Sequence, residues 1–195
     1  GKDYEPYSYR FKKQSISEKH IRILGDSFTA QAFITTDQEE NQITVFHPGA
    51  MNFSHLNHVD EASDIALGIV APDGREGMLV HAEEFAASGI PFIFDPGQGL
   101  PMFSGAELLR FIDMATYVIT NEYEAKLLAN RTGKSPGDIA QLTEAFVITE
   151  GEKGSKVYSK DKLEIISPVI EPKPVDPTGC GDAVSYTHLT LPTKA

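Results

Sequence analysis

Tryptophan is missing from this 195-residue sequence, and cysteine occurs once, at Cys180. A lone thiol closes no internal disulfide, which fits a reducing compartment. Basic residues are also scarce: 17 Lys and Arg stand against 28 Asp and Glu, for a net charge of −11. Such a chain repels a phosphate backbone, and this argues against nucleic acid as a partner. It does not argue against a nucleotide, which backbone N–H groups and a metal ion can hold whatever the net charge. No stretch approaches the roughly 18 apolar residues of a membrane span. Residues 1–13 (GKDYEPYSYRFKK) carry no apolar signal-peptide core. The expectation is a soluble cytoplasmic protein with no nucleic-acid and no membrane partner.

The apolar fraction, 41%, is enough for a real core. Along the chain its rhythm changes once. Residues 28–36 (FTAQAFITT) alternate, with Phe28, Ala30, Ala32 and Ile34 on one side and Thr29, Gln31 and Thr35 on the other. Residues 42–46 (QITVF) alternate again, across the polar DQEEN at 37–41. This pattern predicts a β-hairpin, followed by a turn-rich link, HPGAMNFS. Beyond it, apolar runs at 64–72, 91–97, 117–120 and 145–151 read as buried strands. Helical spacing is found at 74–88, where Met78, Ala82, Phe85 and Ala86 form a stripe, at 104–115 behind a Ser104 N-cap, and at 121–131. The segments KVYSK and LEIISPV suggest a closing antiparallel pair. Strands alternating with helices predict an α/β fold with a mainly parallel sheet. Ligands in such sheets collect at the carboxyl ends of the strands. The turns of interest are therefore 95–99, 121–124, 149–154 and the loop near Asp176.

The strongest chemical signal is VDPTGCGDA at 175–183. Gly179 and Gly181 permit a tight turn whose successive N–H groups point one way. A helix starting near Cys180 would turn its positive end to the same spot. A carboxylate beside that anion site, Asp182, can take the proton from an attacking hydroxyl. A Gly-rich turn with an Asp in the first turn of a helix is the plainer reading of a bare G-x-G-D, but the complete D-P-T-G-x-G-D string is much rarer. The second signal is Asn121-Glu122-Tyr123-Glu124, which also reads as a variant capping box. The third is a strand leading into Thr149-Glu150-Gly151-Glu152-Lys153-Gly154, a T-x-G-x-x-G turn that by itself need only connect strands. His55, His58 and Asp60 are too loosely spaced for a metal site and read as a surface loop.

Together these motifs resemble the ribokinase (PfkB) family of sugar and nucleoside kinases. Asp176, Thr178, Gly179, Gly181 and Asp182 match its D-T-x-G-A-G-D signature, with Pro177 as a familiar variant and Cys180 where Ala is common. The resemblance implies a ribokinase-like α/β sandwich with a small β-lid at about 28–47. It implies Asp182 as catalytic base, with Gly179, Cys180 and Gly181 as the anion hole. Asn121, Thr149, Gly151, Gly154 and Thr178 would line the ATP site, and Glu124 would act on Mg²⁺ through water. ATP would be the co-substrate, and K⁺ an additional ion. FTAQAFITTD, NQITVFHPGAM and DPGQ are closest to the bacterial adenosine kinase-like branch, which implies that Phe33, Phe46 and Gln98 face a nucleoside. Packing within the lid, or within a homodimer formed through it, is the alternative for the two Phe rings.

The chain also departs from the family. Nothing matches the opening G-G-x-x-x-N-type segment, and GKDYEPY resembles the G-x-D stretch that follows it. VSYTHLTLPTKA, with its threonines and Pro192, is a poor continuation of the helix expected after Asp182. The expectation is a partial kinase domain at 1–183 with a non-native tail at 184–195. The activity expected of the parent is phosphoryl transfer from ATP to a primary hydroxyl of adenosine, with a sugar such as ribose or fructose as the alternative acceptor. A module that binds nucleotide without turnover is the reading from another class. A dinucleotide-binding oxidoreductase is disfavoured, because no G-x-G-x-x-G follows the first strand.

Overall fold

The computed structural model describes residues 1–37 and 42–168. The 175–183 motif and the tail from 184 lie outside the described residues. Among the described residues the chain divides into two compact units, residues 1–64 with 73–81, and residues 65–72 with those from 82 on.

The first unit opens with helix α1 (Glu5–Lys13), which the sequence reading left unassigned. Pro6 suits the first turn, where its missing N–H costs nothing, and Glu5 in the first turn with Arg10, Lys12 and Lys13 in the last suit the helix dipole. The helix buries none of its residues. The expected hairpin is present as β1 (Gln31–Thr36) and β2 (Gln42–His47), antiparallel, with Gln31 opposite His47 and Thr36 opposite Gln42. Its base is tied down by Asp3, whose carboxylate accepts from the Thr29 N–H at 2.7 Å and the Thr29 hydroxyl at 2.8 Å. The bond from the Thr29 backbone leads in holding the Asp3 carboxyl below its ordinary value. Gly49 (φ +51°) is required close by, since a Cβ there would lie 2.2 Å from the Phe28 carbonyl oxygen. The link read as turn-rich, 47–54, falls largely in a 3₁₀ segment, Gly49–Leu56, and a second, Val59–Glu61, follows it. His55 Nδ1 sits 3.6 Å from Glu76 Oε2. Among the described residues no group of three or more His, Cys, Asp or Glu is placed to hold a metal ion.

The second unit contains a six-stranded sheet in the order β3 (Gly68–Val70), β4 (Phe92–Phe94), β5 (Tyr117–Asn121), β6 (Ala145–Thr149), β7 (Ser155–Ser159) and β8 (Lys162–Ile166). The first four run parallel, and β7 and β8 return antiparallel. The strands at 68–70 and 92–94 are shorter than the apolar runs at 64–72 and 91–97, whose outer residues Ala66, Pro72 and Pro91 are exposed. Helix α2 (Arg75–Ala87), whose residues 75–81 belong to the first unit, buries Met78, Ala82 and Phe85. Ala86, expected on the same stripe, is exposed. Helix α3 (Gly105–Met114) starts at Ser104 with a full capping box: the Ser104 hydroxyl accepts from the Glu107 N–H, and Glu107 accepts from the Ser104 N–H. Its Phe111 stacks on Phe94 at 4.6 Å and meets Phe103 edge-on at 5.0 Å, forming the centre of the core. Helix α4 (Glu122–Thr132) follows β5 directly. Helix α5 (Pro136–Leu142), absent from the sequence reading, is capped by Ser135 and buries Ile139 and Ala140. Among the described residues no helix is long and apolar enough to cross a membrane.

Candidate active site

Three of the turns singled out by sequence leave the carboxyl ends of neighbouring parallel strands: 95–99 follows β4, 121–124 follows β5 and 149–154 follows β6. Asn121 is both the last residue of β5 and the N-cap of α4. Its Oδ1 accepts from the Glu124 N–H at 2.8 Å. Glu124 answers through both carboxylate oxygens, accepting from the Asn121 N–H at 2.9 Å and the Asn121 amide Nδ2 at 2.7 Å. The box satisfies N–H groups that a helix start leaves open. At its other end α4 stops at Gly133, in the left-handed region at φ +68°.

Register brings the Thr149 motif beside the Asn121 motif. Asn121 on β5 is the ladder partner of Thr149 on β6, and Thr149 is in turn the partner of Ser155 on β7. The Thr149 hydroxyl donates to the Thr120 carbonyl oxygen at 3.4 Å. Thr120 itself is buried, and its hydroxyl finds no partner among the described residues. The turn after Thr149 is closed by Glu150 N–H to the Gly154 carbonyl, 2.8 Å, and by Gly154 N–H to the Gly151 carbonyl, 3.0 Å. Its two glycines serve different ends. Gly151 (φ +57°) faces open space, so its backbone can be approached from outside. Gly154 (φ +92°) is pressed against the sheet's last strand, where a Cβ would lie 2.0 Å from the Ile166 carbonyl oxygen. Glu150 is bonded to Lys156 Nζ at 2.7 Å, and this bond chiefly raises the lysine's pKa. Sequence reasoning missed this pair, which only strand register brings together.

Gln98 stands exposed one strand over, in the 3₁₀ turn Gly97–Met102 that follows β4. Gly97 (φ +44°) starts that turn against Pro72, whose Cγ would be 2.6 Å from a Cβ. Leu100 and Phe103 anchor it in the core. Phe33 and Phe46 belong to the hairpin of the other unit and are both largely exposed, at 59% and 51%. Phe33 pairs with Val45 and Phe46 with Ala32, so adjacent ladder positions place the two rings on opposite faces of the ribbon. One face of the hairpin therefore presents Phe33 and the other Phe46. Thr178, Gly179, Cys180, Gly181 and Asp182 lie outside the described residues.

The profile of the pfkB family carbohydrate kinases matches residues 1–185, a span that includes Asp182. The structure of a Burkholderia thailandensis nucleoside kinase in complex with inosine superposes with a TM-score of 0.91 at 51% identity, over 96% of this chain and 61% of that one. A nucleoside kinase of Methanocaldococcus jannaschii is 31% identical over 197 residues, which cover all of this chain and 64% of that protein. A Bacillus subtilis ribokinase is 36% identical over 128 residues, 65% of this chain and 41% of that protein. The chain thus spans somewhat under two thirds of the nucleoside kinases it matches. The parallel β3–β6 sheet with its separate hairpin is a ribokinase-like α/β fold, and the chain belongs to the pfkB family of carbohydrate kinases.

Proposed function

We propose that the chain is the core of a phosphotransferase that moves the γ-phosphoryl group of ATP to a primary hydroxyl of a nucleoside, adenosine first among the candidates. The observation that carries this reading is the ladder step between Asn121 and Thr149. It sets two motifs, 28 residues apart in sequence as 149 − 121, side by side at the strand ends where α/β sheets bind ligands. The nucleoside kinases named above and the inosine in one of them favour a purine nucleoside as acceptor.

In this reading Thr149 and the open backbone at Gly151 seat the nucleotide, with Gly154 shaping the turn and Thr178 adding a hydroxyl. Asp182 accepts the proton of the attacking hydroxyl, and the amides of Gly179, Cys180 and Gly181 receive the negative charge that develops on the phosphoryl group. Mg²⁺ would neutralise charge on the phosphates. The donors fit a water-mediated role for Glu124, because both its oxygens already accept from Asn121 and Mg²⁺ keeps much of its water. K⁺ is an added ion to be tested in the same assay. Gln98 meets the nucleoside at the β4 end. The hairpin supplies a lid whose closure excludes water. Its two exposed apolar faces, Phe33 with Ile43 and Val45, and Phe46 with Ile34, suit a ligand on one side and a second copy of the chain on the other, giving a homodimer. A cytoplasmic location, where ATP is supplied, goes with this activity.

A sugar acceptor is the second reading, favoured by the Bacillus subtilis ribokinase match. A coupled assay of ATP consumption with adenosine, inosine, ribose and fructose, with and without K⁺, separates the two. Turnover with the nucleosides supports the first reading, and turnover with ribose or fructose alone supports the second. ATP binding with no turnover on any acceptor would leave a nucleotide-binding module and defeat both.

A further inference from the structure

We propose that Arg131 is a positioning residue for the acceptor end of the site: from the last turn of α4, its guanidinium fixes the turn that presents Gln98. The proposal rests on the nucleoside reading of Gln98 given above. Arg131 Nη1 donates to the Phe103 carbonyl oxygen at 2.7 Å and lies 3.4 Å from the Pro101 carbonyl oxygen. Both carbonyls sit where the Gly97–Met102 turn runs out. Pro101, inside the turn, brings no N–H of its own. A guanidinium supplies donors in a fixed fork and stays charged at any working pH.

A second feature of the same junction is independent of that side chain. A Cβ at Gly105 would lie 2.1 Å from the Arg131 carbonyl oxygen. Only glycine lets the start of α3 come this close to the end of α4, and this closeness brings the guanidinium within reach of residues 101 and 103. The turn is therefore held from two sides, with Leu100 and Phe103 buried below it and Arg131 bonded to its backbone. One rigid helix consequently serves both ends of the site. The first turn of α4 carries the Asn121–Glu124 box on the nucleotide side, and its last turn carries Arg131 for the acceptor side.

The test compares R131Q and R131K with the unchanged 195-residue chain. Amide hydrogen exchange is read at 97–103 and 121–124, and adenosine and ATP affinities are measured by calorimetry. We expect R131Q to speed exchange at 97–103 but not at 121–124. It should weaken adenosine binding about tenfold, as loss of a charged hydrogen bond does, and change ATP binding less than about twofold. R131K, which keeps a charge but not the fork, should recover part of both effects. Unchanged exchange at 97–103 overturns the proposal, as does equal loss of adenosine and ATP binding or faster exchange throughout. If the unchanged chain binds neither adenosine nor inosine, the nucleoside reading fails by itself. Exchange at 97–103 in the two variants then still decides whether Arg131 holds the turn.

Discussion

Asn121 and Glu124 hold each other through three hydrogen bonds of 2.8, 2.9 and 2.7 Å at the point where β5 becomes α4. The same pair that starts the helix is the pair the kinase reading places at the nucleotide. The two roles separate by substitution. Asn121→Ser keeps a capping oxygen but removes the amide Nδ2, whereas Asn121→Ala removes both. We expect Asn121→Ala to lower unfolding stability by about 1 kcal/mol and Asn121→Ser to lower it by clearly less, as read from urea denaturation midpoints. Both should reduce ATP-dependent turnover. Equal loss of stability in the two variants would show that the cap is not what holds the helix start.

The two glycines of the 149–154 turn should respond unequally. Gly151→Ala places a Cβ in open space and meets only the left-handed backbone, a cost of about 1 kcal/mol. Gly154→Ala adds a collision with the Ile166 carbonyl to a φ of +92° and should cost at least about 2 kcal/mol. Thermal unfolding of the two variants checks the order. Should Gly151→Ala prove the more damaging, the packing of that turn against β8 is wrong.

Acid stability should depend on Asp3 and Asp138. Thr29 holds the Asp3 carboxyl below its ordinary 3.8, first through its backbone N–H. Ser135 does the same for Asp138, first through its hydroxyl. A carboxyl depressed in the folded state binds its proton more readily when unfolded. Its contribution is therefore complete above the unfolded value and declines as pH falls through the folded one. The double variant Asp3→Asn/Asp138→Asn should be less stable at pH 7 and should lose stability less steeply below pH 4 than the parent. Parallel curves for the two proteins would refute the linkage.

Lys156 gives the opposite sign. Glu150 raises its pKa above the ordinary 10.5, chiefly through their hydrogen bond. A base raised in the folded state contributes fully below its unfolded pKa, and the contribution is lost as pH climbs through the folded value. Glu150→Gln should lower stability at neutral pH and flatten the decline above pH 10. Denaturation midpoints from pH 7 to 11 check this, and an unflattened alkaline limb would count against the pair.

Much of this architecture was legible in the sequence, for identifiable reasons. Ser104 and Asn121 announced their helices because each is followed three residues on by Glu, the spacing a capping box needs. The hairpin was legible from its alternation, but its facing was not. Which residues oppose each other depends on where the loop between the strands places the register, and a one-residue shift exchanges the faces. In the observed register Phe33 and Phe46 lie on opposite sides. Helix α1 escaped because it buries nothing, leaving Tyr4, Tyr7 and Phe11 as the only trace of its period. Helix α5 is only seven residues long, although Ser135, Pro136 and Asp138 carry a cap signal that was available. Within the site, the contiguous motifs were readable as strings. The contacts of Thr149 with Asn121, Glu150 with Lys156 and Arg131 with Phe103 were not, because register and helix packing create them.

The account stands most directly on one comparison. The unchanged chain and Asp182→Asn are each given ATP, Mg²⁺ and adenosine, and nucleoside monophosphate is followed by ³¹P NMR while ATP affinity is measured alongside. The account predicts product from the unchanged chain. It predicts at least a hundredfold slower formation by Asp182→Asn, in the usual range for loss of a general base, with ATP still bound. Undiminished product from Asp182→Asn would contradict it.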